Sequence, residues 1–322
     1  MPGRPGLLRI VVPVAVSILI LYLMYSKIDP GSLLSGLSRI DARWAAAYVA
    51  MACMEPLVRA LRWRALLGSG PFGTVAGGMY TGKACNNLFP LRMGDAVRVQ
   101  YLRDRAGLPY RRTVASLIGE TMMDLAFLAL TGILFALLAI NRYGRILTIA
   151  LIVLLAIGLL SALAVFYSRR KGGTAGISRV LHTLSTQMGE MASGARGVRI
   201  LAATLLLWGY TIAASYCGLR MMLPSVSAVG VLGSIALVYF AAMIPSAPGF
   251  IGSYHAAVAT SLGLMGYSFS EYASLPIVVH ALQFIPQVLI GLSTGMKYLH
   301  ANDWRRAYVE FDTARRRIMK GD

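Results

Sequence analysis

Asn86-Asn-Leu-Phe-Pro-Leu-Arg-Met-Gly-Asp-Ala-Val-Arg98 joins a weakly apolar, glycine-rich segment at 72–91 to a long apolar run that begins near 113. Proline has no backbone N–H and ends or kinks a helix, so Pro90 is expected to terminate the segment before it. Asn86 and Asn87 are then placed to satisfy freed backbone carbonyls. Gly94 permits a sharp turn, and Asp95 is suited to cap the next helix, whose exposed N–H groups bind anions. Arg92 and Arg98 flank that helix start, and a guanidinium grips a phosphate through two parallel hydrogen bonds. The combination predicts a headgroup site; the competing reading is a cytoplasmic turn with stop-transfer arginines.

Outward from this stretch the chain is built for a bilayer. Of its 322 residues 57% are hydrophobic and 14% charged, with a mean hydropathy of +0.64, whereas an ordinary soluble domain is roughly 25% charged. Apolar windows near 8–26, 44–61, 113–140, 146–167, 200–219, 227–247 and 274–297 approach or exceed the roughly 17 to 25 residues that cross the hydrocarbon core. The first follows Arg4 and Arg9 but has no small-residue cleavage site, so it reads as a retained helix. Segments 72–91 and 248–265 read as re-entrant hairpins or broken spans. The expected fold is all-α: a polytopic membrane helix bundle of about 7–8 spans, with a transmembrane domain over 1–300 and a basic cytoplasmic tail at 301–322.

A net charge of +18 would suit a nucleic-acid binder, but its placement points elsewhere. With the N-terminus inside, 24 of the 31 Lys and Arg residues fall in inner loops and six fall outside, with Lys83 inside a weak segment. This positive-inside bias predicts a multi-pass membrane protein with both termini cytoplasmic, and no nucleic-acid partner. No Lys or Arg occurs between Arg220 and Lys297.

A second proline cluster, Ile244-Pro-Ser-Ala-Pro-Gly-Phe-Ile-Gly-Ser-Tyr-His255, repeats the first, since Pro90 to Gly94 and Pro245 to Gly249 are both P-x-x-x-G. Interrupted segments at matching places in two halves point to an inverted repeat with a binding site between broken helices. The charge count puts the first cluster inside and the second, with Pro248 and Gly252, outside. Each precedes a span with a polar face. Glu120 and Asp124 lie four apart on one, where a mid-membrane carboxylate costs about 2.5–3.5 kcal/mol on insertion scales. Such a pair calls for an arginine partner, Arg92 or Arg98. On the other, His280, Gln283 and Gln287 align, with Pro276 and Pro286 loosening the backbone, while Glu55 and Arg59 form a further i,i+4 pair with Arg62 one turn on.

Other signals are weaker. Cys53, Cys85 and Cys217 form no CxxC pair, and His182, His255, His280 and His300 lack metal-ligand spacing, so no cofactor or metal is expected. Segment 176–198 patterns as an amphipathic helix, either on the inner leaflet or packed on the bundle. Trp304, Tyr308 and Phe311 beside Arg305, Arg306 and Arg315–Arg317 suit anionic headgroups or a topology anchor. Gly291-Leu-Ser-Thr-Gly295 matches the nucleophile-elbow string but falls at the end of a membrane helix, the wrong setting for it.

The spaced set Asn87-x-x-Pro90-x-Arg92-x-Gly94-Asp95-x-x-Arg98, Glu120-x-x-x-Asp124 and Pro248-Gly249-x-x-Gly252 resembles the lysylphosphatidylglycerol synthase transmembrane-region family, flippase-like proteins of the hopanoid-translocase and dolichol-sugar type. The resemblance runs from the second span to about 297. It implies movement of lipids or lipid-linked molecules between leaflets, or support of enzymes acting on them. Two departures stand out: Thr121 where members often carry Arg, and His255 where they often carry an acid, which makes the outer site neutral or pH-sensitive. The chain ends at Asp322, soon after Lys297, so the soluble aminoacyl transferase domain of some members is not expected. The leading expectation is a non-enzymatic flippase. In it Asn87, Arg92, Asp95 and Arg98 hold an anionic headgroup, Glu120 and Asp124 balance the arginines, and His255, His280 and Gln283 line the outer half of the path. Its partners are membrane lipids and lipid-modifying enzymes. The alternative is a membrane enzyme or scaffold in lipid or glycolipid modification.

Overall fold

A computed structural model of the chain describes residues 8–89, 93–135, 137–138, 194–242, 247–296 and 313. The regular structure among them is helical: α1 (Leu8–Tyr25), α2 (Pro30–Leu37), α3 (Ala42–Leu67), α4 (Phe72–Leu88), α5 (Gly94–Ala106), α6 (Tyr110–Phe135), α7 (Gly194–Arg220), α8 (Ala228–Ala241), a 3₁₀ turn (Pro248–Phe250), α9 (Ser253–Met265) and α10 (Ser274–Gly295). The span expected at 146–167, the helix expected at 176–198 up to residue 193, and the tail apart from Thr313 lie outside the described residues, as do Pro90, Arg92 and Pro245.

Among the described residues, α6, α7 and α10 are each long and apolar enough to cross a membrane. Between 22% and 39% of their apolar windows is buried, so Leu201, Leu205, Leu206, Ile285 and Leu289 face outward at more than half exposure. Apolar surface on that scale belongs in lipid. The first expected span, 8–26, is α1, and α2 follows it at an 88° bend. Asp29 and Pro30 make that corner: the Asp29 carboxylate accepts from Ser32 N–H at 2.9 Å, and Pro30 occupies the first turn. α3 covers the second expected span, although Glu55, Arg59 and Arg62 interrupt its apolar run. α8, at 14 residues, is shorter than the window 227–247 suggests. Residues 72–88 form one uninterrupted helix, which excludes a hairpin within them; 248–265 is broken, a turn followed by α9.

The chain divides into two compact units. One comprises Met1–Glu55, Lys83–Gly94 and Gly209–Ser293; in it α9 packs on α8 and on α1. The other comprises Pro56–Gly82, Asp95–Trp208 and Thr294–Asp322. Its core joins Trp63 and Leu67 of α3, Val75 and Met79 of α4, Val99 and Leu102 of α5, and Val114 and Leu117 of α6, all buried.

Candidate functional site

In the second unit, a charged cluster sits inside the helix packing. Glu120 and Asp124 are one turn apart on α6, so a single guanidinium reaches both. Arg62 of α3, completely buried, does so: it donates to Asp124 Oδ1 at 2.5 Å and Oδ2 at 3.0 Å, and to Glu120 Oε1 at 3.1 Å. Arg98 of α5 holds Glu120 Oε2 at 3.0 Å and Asp95 Oδ1 at 3.4 Å, while Arg59 stands 3.8 Å from Asp124. The Arg98 guanidinium lies over Trp63, 4.9 Å from the ring centroid, and Trp63 Nε1 donates to Ser116 Oγ at 2.9 Å. Three arginines therefore face three carboxylates, and the cluster is formally neutral.

The expected arginine partner of Glu120 is thus found in Arg98, but Arg62 supplies most of the hydrogen bonds. Helix spacing shows which residues share a face, not which face of another helix meets it. Arg98 is 9% exposed and engaged by acids on two sides. Two local expectations are corrected. Asp95 does not cap α5: it lies in the first turn, paired with Arg98, and the Asn86 side-chain oxygen takes the Gly94 N–H at 2.8 Å. Asn86 thereby serves an N–H and not a freed carbonyl, because the first N–H groups of a helix have no intrahelical acceptor.

In the first unit, the Pro248–Gly252 turn is drawn against its neighbours by backbone shape. Gly249 has φ 68° and Gly252 φ 90°, both in the region glycine tolerates. A Cβ on Gly249 would lie 2.6 Å from the Phe284 ring and 3.3 Å from the Asn87 carbonyl, and one on Gly252 would lie 2.9 Å from Ser17 Cα. Asn87 therefore borders the turn through its backbone. Ser17 Oγ accepts from Ala247 N–H at 3.0 Å. His280 Nε2 donates to the Gly249 carbonyl at 2.9 Å, and His255 Nδ1 accepts from Gly252 N–H at 3.4 Å. The two imidazoles meet edge to face at 5.0 Å, and Tyr254 stacks on His280 at 4.9 Å. The histidines expected on a transport path are brought together, and both brace the turn.

Tyr254 also opens onto a cavity of about 110 Å³ inside the same unit, lined among others by Tyr48, Glu55, Ser234, Tyr239 and Gln283. Tyr48 donates to Gln283 Oε1 at 3.3 Å. Glu55 is held by Lys83 Nζ at 3.1 Å, and Gln287 Nε2 approaches Glu55 Oε2 at 3.4 Å and the Ala52 carbonyl at 3.3 Å. That carbonyl is the one Pro56 leaves without a helical donor, four residues on. Of the described residues expected at a site, Gln283 alone lines this cavity. Tyr48, Tyr254 and Ser234 carry no sequence signal apart from the apolar helices around them.

One characterised relative is similar to part of the chain: a protein named glycosyltransferase AglD, from Haloferax volcanii, is 33% identical over 144 residues. The match covers 42% of this chain, and the chain spans 23% of that relative. The buried ion cluster and the glycine turn both fall within residues 10–291, which match the family described as lysylphosphatidylglycerol synthase TM region, and the chain belongs to that family of membrane proteins.

Proposed function

We propose that the protein carries a lipid or lipid-linked molecule between the leaflets of a cell membrane, as a transporter and not an enzyme. One observation carries this reading: the cavity lined by Tyr48, Glu55, Ser234, Tyr254 and Gln283 lies among helices whose other faces are apolar. A polar chamber in such surroundings offers a headgroup the hydrogen bonds it loses on leaving water. Arg92, just before α5, is assigned the anionic phosphate of the lipid; the buried Arg59–Arg62–Arg98 cluster holds the second unit together. Both termini are assigned to the cytoplasm from the loop arginines.

Headgroup accessibility in liposomes, with labelled lipids and purified protein, tests this. Protein-dependent movement is expected in the wild type, strongly slowed by Arg92→Ala and by Gln283→Leu. Undiminished movement in both variants removes the headgroup path. A second reading, an enzyme or scaffold of glycolipid modification, is favoured by the name of the Haloferax volcanii relative, a glycosyltransferase. It requires that the purified protein, or its complex, convert a lipid into a new species detectable by mass spectrometry.

A further inference from the structure

The wall of this cavity is specific about charge. Among the described residues Glu55 is its one carboxylate and no Lys or Arg lines it, while Lys83 already neutralises Glu55 from 3.1 Å. An anion entering would meet a carboxylate whose paired cation, Lys83, is already engaged; a cation would have to displace Lys83. What the wall does offer is neutral. The Ser234 hydroxyl is buried with no hydrogen-bond partner among the described residues, in a residue 5% exposed. A buried hydroxyl left unpaired is costly, so this one awaits a partner. Gln283 uses its amide oxygen for Tyr48, and its two N–H donors have no partner among the described residues. The rings of Tyr48, Tyr239 and Tyr254 supply flat apolar faces between these groups.

We infer that the cavity binds an uncharged, hydroxyl-rich part of a lipid headgroup, a sugar or polyol, through Ser234 and Gln283. A hydroxylated ring gives and accepts hydrogen bonds along its edge and presents C–H groups on its faces, which matches donors and acceptors set between aromatic rings. This rests on the cavity being the headgroup chamber of the proposed transport.

The test is native mass spectrometry of the purified protein in equimolar phosphatidylinositol, phosphatidic acid and phosphatidylethanolamine. All three carry a phosphate; phosphatidylinositol adds a neutral inositol ring, phosphatidylethanolamine adds an ammonium, and phosphatidic acid ends at a more highly charged phosphomonoester. Phosphatidylinositol is expected to be retained over the other two, and Ser234→Ala and Gln283→Leu are each expected to lower its retention about threefold to tenfold, the scale of one lost hydrogen bond. Phosphatidic acid retention should not change. Equal or stronger retention of phosphatidic acid or phosphatidylethanolamine by the wild type overturns the inference, and this comparison stands even where a variant fails to fold. So does undiminished phosphatidylinositol retention in both folded variants. The liposome assay separates the two proposals: movement without polyol selectivity rejects this one alone, while selectivity without movement keeps the site and rejects transport.

Discussion

Arg62 has no solvent exposure, and its guanidinium is the bridge between Glu120 and Asp124. Removing one partner of a buried pair leaves an uncompensated charge, a loss of about 3–5 kcal/mol. Arg62→Met is therefore expected to lower the thermal unfolding midpoint in detergent steeply. Adding Asp124→Asn should recover more than half of the loss, because Glu120 keeps Arg98 and the buried charge balance returns. Equal midpoints for the single and double variants would show that the cluster is not held by charge compensation. At this scale the sequence shows the need better than the solution. The i,i+4 carboxylates on an apolar helix demand a cation, but the choice of Arg62 depends on the approach of α3 to α6. Gln287 is similar: Pro56 frees a carbonyl as the sequence requires, and only packing shows that a side chain on α10 takes it.

The element that responds most sharply to a small change is the Pro248–Gly252 turn. Gly249 needs φ 68°, and a methyl there would press on Phe284. Phe250, at φ 58°, is already in a region that bulky side chains avoid, held by its N–H to the Ala247 carbonyl at 3.0 Å and by Ser253 Oγ at its own carbonyl. Gly249→Ala is expected to destabilise the turn by about 1–3 kcal/mol, read as faster hydrogen exchange at Ala247–Gly252 and as weaker lipid retention by the cavity that Tyr254 lines. Unchanged exchange would mean that the glycine is not required by the backbone. The proline-glycine pattern makes this turn legible in the sequence. The bracing by His280 is not, since helix spacing aligns His280 with Gln283 without saying that one reaches a backbone carbonyl and the other a cavity. The nucleophile-elbow string is decided in the same way: Ser293 is helical, its hydroxyl donating to the Ile290 carbonyl at 2.7 Å.

For the whole molecule, the loop charges predict that the turn at Arg39 and the turn at Glu271, in the stretch without Lys or Arg after Arg220, face the same side of the membrane. Arg39 pairs with Glu271 at 3.3 Å within one unit, both exposed, which supports a common side for the two. In a background lacking Cys53, Cys85 and Cys217, a cysteine at 271 is expected to react with a membrane-impermeant thiol reagent added outside intact cells, and one at 320 only after permeabilisation. Labelling of residue 320 in intact cells would reverse the orientation.

By itself the sequence determined that this is an all-helical membrane protein of one family, with apolar spans, a proline-glycine break and carboxylates that need arginines. Span length, backbone permissiveness and charge burial are local costs that a sequence must meet wherever the helices pack. Tertiary structure alone decided the partners: Arg62 for Glu120 and Asp124, Lys83 for Glu55, Asn86 for the start of α5, and a neutral cavity walled by tyrosines and an unpaired serine. Those choices depend on how helices distant in sequence approach and rotate against one another, and helical periodicity carries no information about that.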